Sequence, residues 1–254
     1  MRKLSVIIPT FNEEENINKV IESVKFANEI IVVDSFSNDN TKEIANKNNI
    51  KFLERKYDYS ASQKNWAIKK AKYNWILIVD ADEIVNNELK NEIINILSQN
   101  DDNYAYWIYR KNYFMNKKIR FSGWQNDKVI RLFNRDFCIY ENKIAHAEII
   151  CRGKVGYLKN KLLHNTFKNM DHYVNKMIRY AKYQAIELHK KNIKPNFFKL
   201  LFKPQIRFIK HLIIKFGIFD GIVGLIIAIL NSYSVFLRYL FLYEFYINDK
   251  QRNK

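Results

Sequence analysis

The stretch Trp75-Ile76-Leu77-Ile78-Val79-Asp80-Ala81-Asp82-Glu83 limits the fold more than any other: five apolar residues run straight into three carboxylates. A short apolar run rich in β-branched residues reads as a strand buried on both faces, the habit of a parallel sheet. Open sheets of that kind place their ligands beyond the C-terminal ends of the strands. Asp80 and Asp82 are two apart, so an extended backbone points both the same way. Convergent carboxylates suit a hard divalent cation, Mg²⁺ or Mn²⁺. The competing reading is a helix start, where acidic residues favour the positive end of the dipole. Glu83 is taken in that second role.

The rest of the first hundred residues repeats the pattern. Leu4 to Ile8, closed by Pro9, predicts a first strand. Asn12, with Glu15 in a capping-box position, predicts the start of a helix that carries Ile17, Val20, Ile21 and Val24 on one face. Glu29 to Val33 predicts a second strand ending at Asp34, and Ile50 to Leu53 a third. Helices are expected over Thr41 to Asn48, Ser60 to Lys72, and from Asn86 or Asn87 through Leu97. This β-α-β-α alternation implies an α/β fold, with a doubly wound, mostly parallel sheet and flanking helices. Later, Tyr104 to Tyr109 and Val129 to Phe133 read as strands around a hairpin or loop at Tyr113 to Phe121. Asp171 to Lys191 reads as a long helix. The expected organisation is two halves of one domain, 1–100 and 101–191, followed by a helical tail, 192–254.

Charge bears on that tail. The chain carries 43 Lys+Arg against 26 Asp+Glu, a net charge of +17, which implies an anionic partner. From residue 188 onward there are 12 Lys/Arg and 3 Asp/Glu, interleaved with Phe197-Phe198, Leu200-Leu201-Phe202 and Phe208-Ile209. Basic residues among long apolar ones suit an anionic membrane surface better than nucleic acid, for which no motif is present. Gly221 to Leu237 then runs 17 residues without a charge, short of the roughly 20 that a spanning helix needs. Cys138 and Cys151 have no metal-ligand spacing and read as reduced thiols. The N-terminus turns polar too soon for a signal peptide, so the N-terminal half is expected in the cytoplasm.

The turn after the first strand, Pro9-Thr10-Phe11-Asn12-Glu13, lacks glycine. Neither a dinucleotide fingerprint nor a phosphate-binding P-loop fits it. A nucleotide would instead be held by strand-end side chains: Thr10 and Glu13, Asp34, then Asp80 and Asp82.

Ser5-Val6-Ile7-Ile8-Pro9-Thr10-Phe11-Asn12-Glu13, Val33-Asp34-Ser35 with Asp39 and Thr41, and Asp80-Ala81-Asp82 resemble the family 2 glycosyltransferases of GT-A fold. Arg131-Leu132-Phe133, His146, His164 with Asn165 and Phe167, and Lys176 with Tyr180 are similar to the branch that builds lipopolysaccharide inner core. So are Gly217-Ile218-Phe219-Asp220-Gly221, Gly224 and Arg238-Tyr239. The resemblance implies an inverting transferase that moves a hexose, glucose among the candidates, from a nucleotide diphosphate donor such as UDP-hexose to a lipid-linked glycan. It would work on the cytoplasmic face of the inner membrane, as a peripheral or monotopic protein.

Under that resemblance Thr10, Phe11 and Glu13 flank the nucleoside and Asp34 bonds the base. Lys64 lies near the diphosphate, Asp80 near the ribose and donor sugar, and Asp82 ligates the cation. The acceptor hydroxyl needs a carboxylate base. Relatives carry His-Glu in adjacent positions, whereas here the order is His146-Ala147-Glu148; Glu148 and Asp127 are the two candidates. His146 and His164 are expected in the site, and Trp124 either stacks on a sugar or belongs to the core. The other readings are an acceptor of polyprenyl phosphate or another surface glycan, a basic nucleic-acid-binding protein, and a scaffold without catalysis.

Overall fold

A computed structural model describes residues 2–48, 50–99, 101–115, 117–143, 147–165 and 170–252. The first elements alternate as expected: β1 (Leu4–Thr10), α1 (Ile17–Ser23), β2 (Glu29–Asp34), α2 (Thr41–Asn46), β3 (Lys51–Glu54), α3 (Ser60–Lys70) and β4 (Trp75–Ile78). Next come β5 (Glu83–Ile84), α4 (Asn87–Ser98), β6 (Asn103–Phe114), β7 (Lys117–Lys118) and β8 (Lys128–Asn134). They are followed by β9 (Cys138–Tyr140), β10 (Ile149–Cys151), β11 (Lys154–Tyr157) and β12 (Leu162–Asn165). Three helices close the chain: α5 (Met170–Lys190), α6 (Phe197–Ile209) and α7 (Gly221–Arg252).

The main sheet has the order β3-β2-β1-β4-β8-β6-β12-β5. β1 is parallel to both β2 and β4, and β2 to β3. β8 enters antiparallel beside β4, with Leu77 opposite Leu132. Alternate residues of the parallel strands feed two cores. Val6, Ile8, Val32 and Leu77 pack with Ile17, Val20, Leu89 and Ile93 on one face. Ile7, Ile31, Val33 and Ile78 pack with Ala61, Ala67 and Ile68 on the other. Both faces are covered by helices, which is why the strands read as unbroken apolar runs.

One helix start differs from the sequence reading. α1 begins at Ile17, and Asn12 lies before it with φ 54°, in the left-handed region that Asn tolerates. Its side-chain oxygen accepts from the backbone N–H of Asn38 instead of capping a helix. Loop closure therefore took the polar side chain that sequence assigned to the cap. Asn86 caps α4 as expected, accepting from Leu89 N–H at 3.0 Å. Cys138 and Cys151 face each other across the β9–β10 pair as free thiols, and burial pushes the Cys138 thiol up. A thiol held in its neutral form is unreactive.

By compactness the chain forms two units, residues 1–111 with 127–164 and residues 112–126 with 165–254. The sheet and its helices make the first. In the second, Phe114 and Ile119 share a core with Tyr173, Met177 and Ala181 of α5 and with Val223 and Ile227 of α7. The Asp220 carboxylate accepts from Arg120 N–H at 2.9 Å, Phe121 N–H at 3.0 Å and the Ser122 hydroxyl at 2.8 Å, tying the 112–126 hairpin to the start of α7. α6 leaves several apolar side chains in solvent, with Phe197 70% and Phe198 67% exposed. Residues Gly217–Gln251 form a helical stretch long and apolar enough to cross a membrane by length and composition.

Candidate active site

Parallel β1, β2 and β4 bring Thr10, Asp34 and Asp80 to one edge of the sheet. Thr10 stands beside Asp34 in the β1–β2 ladder, and the Ser35 N–H donates to the Thr10 carbonyl at 3.0 Å. On the other side of β1, Ile7 pairs with Ile78, so the chain leaves β4 level with Thr10. Neighbouring strands lie about 4.8 Å apart, which puts these termini within one ligand's reach. The Thr10 hydroxyl is buried without a partner among the described residues, while Phe11 is 53% exposed. Glu13 accepts from the Asn16 amide at 2.9 Å, and its N–H donates to the Thr41 hydroxyl at 2.8 Å.

Asp34 is buried and already engaged. It accepts from the Ser37 N–H at 2.7 Å and the Ser37 hydroxyl at 2.5 Å, shaping the loop after β2. A carboxylate has about four lone-pair positions, so it keeps capacity for a ligand. α3 is held against the same edge: the Gln63 amide donates to the Ser35 hydroxyl at 2.9 Å, and Asn65 exchanges two hydrogen bonds with the backbone of Tyr140.

Sequence treats residues 80–83 as an extended end followed by a helix start. They form a closed turn instead. Glu83 N–H donates to the Asp80 carbonyl at 2.9 Å, and Asp80 N–H donates to the Glu83 carboxylate at 2.9 Å. Asp80 and Asp82 therefore face different partners. Asp80 is clamped by the Lys64 ammonium at 2.8 Å and by the Arg131 guanidinium. Burial would raise the Asp80 pKa, but Arg131 and Lys64 overturn that and hold it well below the usual carboxylate range. The same pairing keeps Lys64 protonated despite its burial, so it is not a solvated surface lysine.

Glu83 is not a helix opener. It lies in β5, is 0% exposed, and pairs with Arg131 at 2.7 Å and Arg110 at 3.5 Å. Arg110 in turn grips Asp127 through two bonds, 2.9 and 2.6 Å. Three carboxylates and three cations thus alternate through a single network. A charge inside an apolar strand must be paired. Arg131 within Val129-Ile130-Arg131-Leu132-Phe133 was the available signal; its partners came from strand pairing that sequence does not display.

Asp82, at the tip of the turn, has its carboxylate 3.5 Å from His164 Nε2. β12 runs antiparallel to β5, with His164 opposite Glu83, and that register places the imidazole there. Glu148 is exposed and precedes β10, exchanging backbone and side-chain bonds with Glu141. Trp124 belongs to the second unit, half-buried and edge-on to Phe114 at 6.4 Å. His146 lies outside the described residues. Among the described residues, no three His, Cys, Asp or Glu side chains gather to enclose a metal unaided.

Residues 5–156 match the family model described as Glycosyl transferase family 2. The chain belongs to this family. An uncharacterized glycosyltransferase of Rickettsia typhi is 33% identical over 270 residues, covering 100% of this chain and 90% of its own. The lipopolysaccharide core biosynthesis glycosyltransferase LpsC of Rhizobium meliloti is 27% identical over 249 residues, covering 95% of this chain and 92% of its own. A crystal structure of glucosyl-3-phosphoglycerate synthase from Mycobacterium tuberculosis, in complex with Mn²⁺, UDP and glucosyl-3-phosphoglycerate, aligns with TM-score 0.37 and 20% identity over 44% of each chain. The chain is a family 2 glycosyltransferase with a mostly parallel, GT-A-like sheet between flanking helices.

Proposed function

We propose that this glycosyltransferase moves a hexose, with inversion, from a UDP-sugar to a lipid-linked glycan of the lipopolysaccharide core. The placement of Asp82 beside His164, at the edge where β1, β2 and β4 end, carries the reading. LpsC supports the acceptor class, since its likeness runs through 95% of the chain.

Asp82 and His164 would hold the divalent cation. One carboxylate and one imidazole are too few to enclose an ion, which suits a metal that shares its coordination with substrate phosphate oxygens. When bound, the cation neutralises charge on the departing diphosphate as a Lewis acid. The chain's own residues do the rest. Thr10, whose hydroxyl lacks a partner among the described residues, takes a nucleoside hydroxyl or carbonyl. Phe11 covers the base, and Asp34 accepts from a base N–H with its remaining lone pairs. Asp80, fixed by Lys64 and Arg131, orients the ribose and sugar without reorganising.

Glu148 is the better base of the two candidates. Both oxygens of Asp127 accept from Arg110, so its protonation would break a bidentate pair. Glu148 is exposed and carries no such obligation. A screen of nucleotide-sugar turnover, with and without Mn²⁺, tests the assignment. Turnover should require the ion, favour UDP donors and vanish in Asp82→Ala. An Asp82→Ala enzyme with normal kinetics would overturn it.

The helical unit would rest on the cytoplasmic membrane surface, where such acceptors lie. Seventeen uncharged residues from Gly221 to Leu237 make about 26 Å of helix, short of the roughly 30 Å hydrocarbon core. α5 also packs along α7, with Tyr173, Met177 and Ala181 in one core with Val223, Ile227 and Leu237. A spanning α7 would carry Lys176 and Arg179, between those α5 positions, to lipid depth. Phe197, Phe198 and Phe202 on α6 supply the apolar anchor instead.

A further inference from the structure

The end of α6 and the turn after it carry Arg207, Lys210, His211 and Lys215 within nine residues. Residues Lys210–Ile214 make a π-helical turn that continues the helix, and such turns are frequent at functional sites. Positions 207, 211 and 215 recur at the spacing of one helical face. Among the described residues, no carboxylate lies within ion-pair distance of any of the four. Asp220 is committed to the hairpin.

Two of these side chains, the neutral His211 and the cationic Lys215, are turned into the protein. His211 is only 4% exposed. Its Nδ1 lies 3.2 Å from the Ser122 carbonyl oxygen, so that nitrogen carries the proton; Nε2 is enclosed, with no partner among the described residues. Lys215 lies across Gly123, where an added Cβ would stand 2.6 Å from the ammonium. Gly123 has φ +87°, so the backbone and the space both call for glycine there. Burial pushes the His211 imidazole down to about 4, and Lys215 and Arg207 add to the effect. Burial likewise lowers Lys215, with Arg207 and Lys210 contributing. Like charges gathered and part-buried without a counter-ion are costly. A bound anion removes the cost, and beside Nε2 it would favour the imidazolium, a second donor.

Phosphate fits the donors. A guanidinium grips two of its oxygens, and ammonium groups take the others. The surroundings indicate a lipid as its carrier. Ile206, Ile209, Ile213, Ile214 and Phe216 are interleaved with the cations and are 57, 50, 60, 65 and 51% exposed. Apolar side chains with cationic heads between them match the level at which lipid phosphates sit above their chains. We propose that Arg207, Lys210, His211 and Lys215 form a binding site for the phosphate headgroup of a membrane lipid. The site rests on the membrane association proposed above and adds headgroup selectivity to it.

The test is vesicle co-sedimentation with the full chain. One vesicle is phosphatidylcholine with phosphatidic acid; the other is phosphatidylcholine with oleate, adjusted to the same surface potential. The wild type should bind the phosphatidic acid vesicles about tenfold more tightly, the worth of one lost charge-assisted hydrogen bond. Arg207→Gln with Lys215→Met should bring that ratio to about one, whereas Phe198→Ser should weaken both vesicles and keep the ratio. If the double variant melts early, Arg207→Lys serves in its place: it keeps the charge, loses the fork and should lower the ratio. Equal wild-type binding to both vesicles overturns the phosphate site and leaves membrane association standing. No binding to either overturns both. Equally tight binding of inorganic phosphate without vesicles, lost in Arg207→Gln with Lys215→Met, overturns the lipid as carrier.

Discussion

Replacing Arg131 by Met removes the centre of the buried network while keeping similar bulk. Glu83, at 0% exposure, would lose its closest cation and keep Arg110 at 3.5 Å. Asp80 would keep Lys64 at 2.8 Å. Stranding one partner of a buried ion pair costs about 3–5 kcal/mol. The surviving contacts place this variant near the lower end, about 3 kcal/mol. Each kcal/mol shifts the midpoint of a domain this size by roughly 2–4 °C, so thermal unfolding should begin roughly 6–12 °C lower. Glu83→Gln on the same background should restore part of the loss, with a coupling of about 1–3 kcal/mol in a double-mutant cycle. The pH dependence has a definite sign. The folded pKa of Asp80 is depressed, so its stabilisation is present above its unfolded value of about 3.9 and disappears as pH falls below it. The gap between wild type and Arg131→Met should therefore narrow below about pH 4. A loss under about 1 kcal/mol at neutral pH, or an additive cycle, would refute the idea that Glu83 needs this guanidinium.

Other outcomes follow from the same geometry. Glu148→Gln should lower kcat by about 10²–10⁴ with an unchanged melting profile, as removal of a general base does. Asp127→Asn should instead lower stability by about 1–3 kcal/mol, because Arg110 loses a charged acceptor. His211 has a folded pKa of about 4. Its unfolded form binds the proton first, so stability should fall by about 2 kcal/mol between pH 7 and pH 5, and His211→Asn should flatten that slope in urea titrations. Phe198, 67% exposed, contributes little to folding; Phe198→Ser should leave the melt unchanged and weaken vesicle binding by about tenfold or more.

The parallel half of the fold was legible because its strands are covered on both faces. Val6, Ile8 and Leu77 serve one core and Ile7, Ile31 and Ile78 the other, so each strand reads as an unbroken apolar run. The strand-end residues Thr10, Asp34 and Asp80 were legible for the same reason: where such a run stops, a polar residue is conspicuous. What stayed hidden depends on distant pairing. Arg131 reaches Asp80 across 51 residues, and His164 reaches Asp82 across 82, through antiparallel strands whose register no local pattern encodes. Asn12 and Glu83 were misread by a local rule. Each obeys a helix-start pattern, yet a loop partner and a buried guanidinium took them.

The alternation of Asp80, Glu83 and Asp127 with Lys64, Arg110 and Arg131 also constrains how this sequence can drift. A single substitution at Arg131 leaves buried Glu83 with Arg110 at 3.5 Å, and one at Glu83 leaves Arg131 to share Asp80 with Lys64, so either unbalances the network. A paired change to two apolar side chains of similar volume leaves no charge at either position. Positions 83 and 131 should therefore be inherited as one heritable unit. Descendants of this chain would retain both charges or abandon both, and a lineage with only one should carry a compensating change at 110 or 80.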